Sequence, residues 1–171
     1  MKTSIWYRLD ILTRLLTPFL LTLALVVLNL VPLEIPSFSR VVPLLPLIAI
    51  YHWAVYRSEL LPAYAVFMIG LLQDIFSGAP IGVYTLVFLL VYGMVIWQHR
   101  FLFGKSFAII WLGFAIVAGG AFALVWALIS LWSFSLLEIR AAFFQYLLTV
   151  ATFPSLAWVF MRWQQFIIRQ L

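Results

Sequence analysis

The chain of 171 residues has no cysteine, five acidic residues and two histidines, and only 9% of it is charged. Each shortage removes a kind of chemistry. Without cysteine there is no disulfide, thiolate nucleophile or thiolate metal site. The histidines, His52 and His99, stand alone and read as side chains near span ends, and with so few acids the chain is short of ligands for a metal centre. No HExxH, GxSxG or glycine-rich phosphate loop occurs, and the acids do not pair at motif spacing. These absences predict a protein that is not an enzyme and uses no cofactor or metal. Low charge with 67% hydrophobic residues also excludes a water-soluble globule, which is about half apolar and about a quarter charged.

What is present is apolar length. Uncharged stretches run from Leu15 to Leu33, Val41 to Tyr56, Leu60 to Gln73, Ile75 to His99, Ser106 to Leu137 and Ala141 to Met161. A spanning helix needs about 20 such residues. The pattern therefore predicts an all-α polytopic membrane protein, one integral membrane domain over 1–171 with six transmembrane helices at about 15–33, 41–56, 60–76, 81–98, 107–132 and 141–161. The second and third runs are short, with Pro43, Pro46 and Pro62 at their starts, and a re-entrant hairpin over 41–76 is the alternative. The first run follows Lys2, Arg8 and Arg14 but is too long for a signal peptide and has no small-x-small cleavage site. It reads as an uncleaved helix.

The net charge of +5 is spread between apolar runs, so it marks topology and does not form a nucleic-acid face. Six crossings with both termini cytoplasmic put Lys2, Arg8, Arg14, Arg57, Arg100, Lys105, Arg162 and Arg169 inside and only Arg40 and Arg140 outside, as the positive-inside rule requires. The hairpin would move Arg57 outside. Trp6, Trp53, Trp97 and Trp163 fall near the predicted inner ends and Trp132 near an outer one, matching aromatic belts. Residues Lys2 to Arg14 mix Ile5, Trp6, Leu9 and Leu12 with charge, which predicts an interfacial helix that turns into the first span.

The segment Gly70-Leu-Leu-Gln-Asp74-Ile-Phe-Ser-Gly78-Ala-Pro80-Ile-Gly82 joins an acid at a span end to a Gly/Pro turn. Pro80 suits the first turn of the fourth helix, and Gly78 and Gly82 let the chain bend. An acid inside a bilayer is costly, so Asp74 is expected to be tied into the turn through Ser77, paired with Arg40 or Arg140, or set in a proton or ion site. On the fifth helix Ala115, Gly119, Ala123 and Ala127 form a stripe of small side chains where another helix, internal or from a partner, can come close. Gly120 beside it could loosen the helix. Asn29, Gln73 and Gln145 are polar residues expected to bond across helices.

With six spans, Gly70-Leu71-Leu72-x-Asp74, Gly78-x-Pro80-x-Gly82 and the apolar Leu86 to Tyr92, the chain resembles the bacterial rod shape-determining protein MreD family. The motif match covers about Pro62 to Tyr92; Tyr84 departs from it, standing where a smaller or more polar residue is expected. The resemblance implies a non-enzymatic scaffold of the cell-elongation (rod) complex in the bacterial inner membrane, helping to regulate peptidoglycan synthesis and cell shape. Its implied partners are the single-span protein MreC, with RodA, its partner transpeptidase and MreB filaments nearby. The fold implied is similar to the S components of energy-coupling-factor vitamin transporters, and this supplies the alternative function, substrate binding. An S component would need polar contacts in an outward pocket, and this sequence is poor in polar intramembrane residues. On the scaffold reading an apolar groove takes the MreC helix with small residues at the contact, and the Asp74 to Gly82 turn meets the start of its external stalk.

Overall fold

The computed structural model describes residues 5–29, 41–102, 104–135 and 137–168, with side chains from 16 to 165 within them. All elements among them are helical: α1 (Ile5–Asn29), α2 (Leu45–Tyr56), a 3-10 turn (Ser58–Leu60), α3 (Ala63–Ser77), α4 (Val83–Leu102), α5 (Phe107–Ser133) and α6 (Ile139–Ile168). Three are long and apolar enough to cross a membrane, namely α4, α5 and α6 over Ile139–Gln165. At ~1.5 Å per residue, α2 with 12 residues and α3 with 15 are shorter apolar helices.

The helices begin and end where local chemistry dictates. Pro46 sits in the first turn of α2, where its missing N–H costs nothing. Gly78 ends α3 in the left-handed region at φ 68°, a glycine stop that frees the chain to turn. Gly82 at φ 104° precedes α4. Phe134 takes the same left-handed role after α5 at φ 49°.

At the centre lies α2, with every residue from Pro46 to Val55 buried. A helix apolar all round is a core helix, and α1, α4 and α6 pack around this one. Its Tyr51 ring meets Phe114 at 5.2 Å and Phe153 at 5.8 Å edge-on, while Phe114 and Phe153 stack at 4.4 Å. The Tyr51 hydroxyl donates to the Ile110 carbonyl at 3.0 Å. Next to it a Cβ on Gly113 would stand 2.9 Å from the Tyr51 Oη, so the glycine makes room for this bond.

The bundle has two distinguishable ends. Arg57, Arg100, Lys105 and Arg162 are exposed at the ends of α2, α4, α5 and α6 that gather on one side, here termed the basic end. The 78–82 and 134–138 connections mark the other, the turn end. The chain enters α2 at the turn end, held by three side chains. Asn29 donates to the Pro43 carbonyl, Gln145 donates to the Val42 carbonyl at 2.9 Å, and Thr149 Oγ1 accepts from Leu44 N at 3.0 Å. Asn29 and Gln145 thus bond to the connection before α2 and not to another helix, and the Oε1 of buried Gln73 has no hydrogen-bond partner.

Several expectations are corrected. The interfacial helix and first span form one continuous helix with Pro18 inside it; Lys2 and the side chains through Leu15 lie outside the described residues. Pro80 precedes α4 and is not in its first turn, because positive φ at Gly82 postpones the helix to Val83. Trp53 and His52 are not at an interface but buried, at 2% and 0% exposure, because short α2 is enclosed by longer neighbours. Trp97 and Trp132 are exposed. Pro154 lies inside α6 and cannot donate to the Val150 carbonyl one turn back. The Trp111 indole N–H of α5 donates to that carbonyl at 3.0 Å instead, replacing the lost ladder bond as an apolar surrounding demands.

Candidate functional site

Asp74 sits on the last turn of α3 with no solvent exposure. Its Oδ2 accepts hydrogen bonds from Gly82 N at 2.9 Å, Thr85 N at 3.1 Å and Thr85 Oγ1 at 2.6 Å, and its Oδ1 accepts from Tyr84 N at 2.7 Å. The three backbone donors belong to the start of α4, where N–H groups have no partner within the helix. A carboxylate there also meets the positive end of the helix dipole. Among the described residues the carboxylate is matched by these donors and no ion pair engages it; Arg140 is exposed on α6, and Arg40 lies outside the described residues. Nor does Ser77 reach the carboxylate. Its hydroxyl donates to the Asp74 backbone carbonyl at 3.3 Å and accepts from Ala79 N at 3.3 Å, closing the end of α3.

One turn before Asp74, Gly70 faces the same part of α4. A Cβ there would lie 2.5 Å from Thr85 Cα and 3.1 Å from Thr85 N. Backbone thus rests on backbone, and the carboxylate reaches the first turn of α4 because nothing at 70 holds the helices apart. Gly78 and Gly82 serve differently: open space surrounds both, and positive φ is what requires them. The polar contribution at position 84 comes from the backbone N–H, while the ring packs on Phe88 at 5.9 Å.

Outside this tied corner the turn forms one wall of an apolar groove of about 720 Å³. Residues Pro80 to Val83 and Leu86 face Leu128, Leu131, Trp132 and Phe134 across it. Ile81 is 77% exposed and Phe134 95%. The small-residue stripe lies on another face of α5. There the Tyr146 hydroxyl of α6 donates to the Ala115 carbonyl at 3.0 Å, and the Tyr146 ring would be 3.7 Å from a Cβ on Gly119. Ala123 and Ala127 are exposed, and a groove of about 430 Å³ opens beside Gly119, Ala123, Trp126, Ala142 and Phe143. The residues of α5 that line the two grooves do not overlap, so the motif turn and the stripe are not brought together.

A third crevice, of about 290 Å³, lies between Tyr84, Trp126, Glu138 and Gln145. Two of its polar groups are already committed, the Trp126 N–H to the Leu137 carbonyl and the Gln145 amide to Val42. It is at the small limit for a ligand pocket of ~300–1,000 Å³. No group of three metal-ligating side chains occurs among the described residues.

Sequence reasoning passed over Thr85, Thr149 and the Trp111 bond to α6. A signal existed for the last, since a proline inside a long apolar run frees a carbonyl that some neighbour must satisfy. The model of one protein family, described as rod shape-determining protein MreD, matches residues 10–168. No curated protein and no solved structure matches the chain.

Proposed function

The chain belongs to the rod shape-determining MreD family, and from that premise we propose that it is a scaffold subunit of the cell-elongation complex, docking the single transmembrane helix of MreC. Membership gives a role in rod shape determination and a shape-determining, structural kind of protein; the partner and its place are the proposal. On this reading the protein sits in the inner membrane as one domain of six crossings with both termini cytoplasmic, near RodA and its transpeptidase. It supports peptidoglycan synthesis by fixing where MreC emerges. The alternative, an S component, has less to rest on, since its polar crevice is small and partly committed.

The observation that carries the reading is the groove at the turn. Helices in lipid gain no hydrophobic drive from association and depend on close shape contact, and this groove of about 720 Å³ offers an apolar cleft walled by Pro80 and Gly82 of the turn. The stripe at Ala115 and Gly119 is occupied by Tyr146, so the proposed contact uses large apolar residues and the motif turn in place of the stripe. The partner's helix would leave the membrane beside Ile81, where its stalk begins.

Affinity purification from native membranes tests this. Ile81→Glu and Leu131→Glu should each lower MreC recovery at least tenfold with thermal stability unchanged, while Ala123→Leu in the other groove leaves recovery intact. Unchanged recovery in both groove variants would remove the interface. Paired ATPases with a membrane coupling subunit as companions would replace the scaffold by solute uptake.

A further inference from the structure

The contact between α2 and α6 near the basic end holds buried polar atoms with no hydrogen-bond partner among the described residues. His52 is fully buried between Trp53 at 5.5 Å, Tyr56 at 4.7 Å and Phe160 at 5.0 Å, ring centroid to ring centroid. Both of its ring nitrogens lack a hydrogen-bond partner, as do the buried Trp53 Nε1 and the buried Gln164 Nε2 one turn beyond Phe160. Unpartnered buried polar groups cost free energy, and a leucine at 52 would meet the same rings without that cost. Packing alone therefore does not account for the histidine.

The same stretch of α6 is set apart by how it is held. On the turn side of Pro154, four bonds tie α6 to its neighbours: Gln145 to Val42, Tyr146 to Ala115, Thr149 to Leu44 and Trp111 to Val150. Beyond Pro154, the contacts of α6 with α2 are aromatic, Phe160 on Trp53 at 5.8 Å and on His52 at 5.0 Å. Proline removes a ladder bond at the junction, and such a point is where helices kink. Trp111 completes the arrangement, because it fixes the freed carbonyl on the tied side and leaves the bend to the free arm.

We propose that α6 beyond Pro154 is a hinged arm that swings off α2 in a second conformation of the bundle, opening a polar crevice at the basic end in which His52, Trp53 and Gln164 acquire hydrogen-bond partners. The closed arrangement is the one described above. The open one exchanges ring contacts with Phe160 for hydrogen bonds to four polar atoms, so the two states can lie close in free energy. The inference does not depend on what docks at the turn, which lies at the opposite end.

The native chain has no cysteine, so introduced cysteines are the only sites for spin labels. Labels at Arg57→Cys and Trp163→Cys, both exposed, report the arm in bilayers by pulsed electron resonance. The native background should give two distance populations. Pro154→Ala, which restores the ladder bond, should cut the longer one at least fivefold. A control pair at Ile116→Cys and Leu147→Cys, on the tied side, should give one distance in both backgrounds. His52→Leu should raise the melting temperature in detergent and also deplete the longer population. One short distance in the native background, a longer population untouched by Pro154→Ala, or a lowered melting temperature for His52→Leu would each overturn the hinge.

Discussion

The corner between α3 and α4 and the pair α5 and α6 solve the same problem, joining antiparallel apolar helices, in opposite ways. At the corner the join is polar and backbone-deep: Gly70 lets Thr85 in, and Asp74 gathers four hydrogen bonds from the start of α4. Between α5 and α6 the join is made by ring side chains, two of which, Tyr146 and Trp111, each donate one hydrogen bond to a backbone carbonyl, and it ends early. No residue of α5 after Val125 is buried, and none of α6 before Thr149. Lipid supplies no drive to close helices over one another, so they part wherever a specific contact stops. The corner is thus a fixed post and the far ends of α5 and α6 are free walls, which is why grooves flank them.

The comparison breaks most severely at Gly70. Gly70→Ala sets a Cβ 2.5 Å from the Thr85 Cα, and neither backbone can rotate away as a side chain would. Overpacking of this kind reaches about 3 kcal/mol or more, and the expected outcome is loss of monodisperse protein on size-exclusion chromatography in mild detergent. A well-folded alanine variant would mean that the corner is not a fixed post.

Next in size is Asp74→Ala, which strands three backbone N–H groups and the Thr85 hydroxyl. A destabilisation of about 3 kcal/mol is expected from bonds to a charged acceptor. Asn should recover roughly half of it, since the amide oxygen still accepts while the charge facing the helix dipole is gone. Unfolding of the two variants side by side in detergent separates these contributions; equal loss in both would assign the whole effect to charge. A smaller effect belongs to the ring side of the comparison. Trp111→Phe should cost about 1 kcal/mol by exposing the Val150 carbonyl, and almost nothing once Pro154→Ala supplies that carbonyl with its own N–H. An equal cost in both backgrounds would deny the bond its role.

How much of this the sequence discloses follows the same division. The long uncharged runs give α4 and α5 to within a few residues, because a spanning helix must be apolar for its full length. The Gly70 to Gly82 segment is visible as a turn with an acid. What its acid binds is not, since three of its four donors are backbone N–H groups, which every residue but proline carries and no residue type advertises. An arginine such as Arg140 is a visible candidate for pairing with Asp74, whereas a helix start is not, and it is the start of α4 that takes the carboxylate. His52 and Trp53 misled for a geometric reason: proximity to the end of a run equals proximity to an interface only when the helix is as long as its neighbours, and α2 has 12 residues. The stripe on α5 was legible as small residues, but not that Tyr146 covers half of it and leaves Ala123 open.

The smallest effect is the most discriminating, because it asks the same substitution to do the reverse of what it does at Gly70. A Cβ on Gly119 would stand 3.7 Å from the Tyr146 ring, an ordinary contact with a side chain that can shift. Gly119→Ala also lowers the backbone entropy of the unfolded chain at a helical position without positive φ, a gain of about 0.5–1 kcal/mol. It should leave stability equal or slightly raised in the same detergent assay in which Gly70→Ala fails. Should Gly119→Ala instead lose more than about 1 kcal/mol, the space between α5 and α6 is as fully used as the corner. The open ends would then be an extension of a tight interface, and the groove beside Ala123 would have to be closed when the protein is at work.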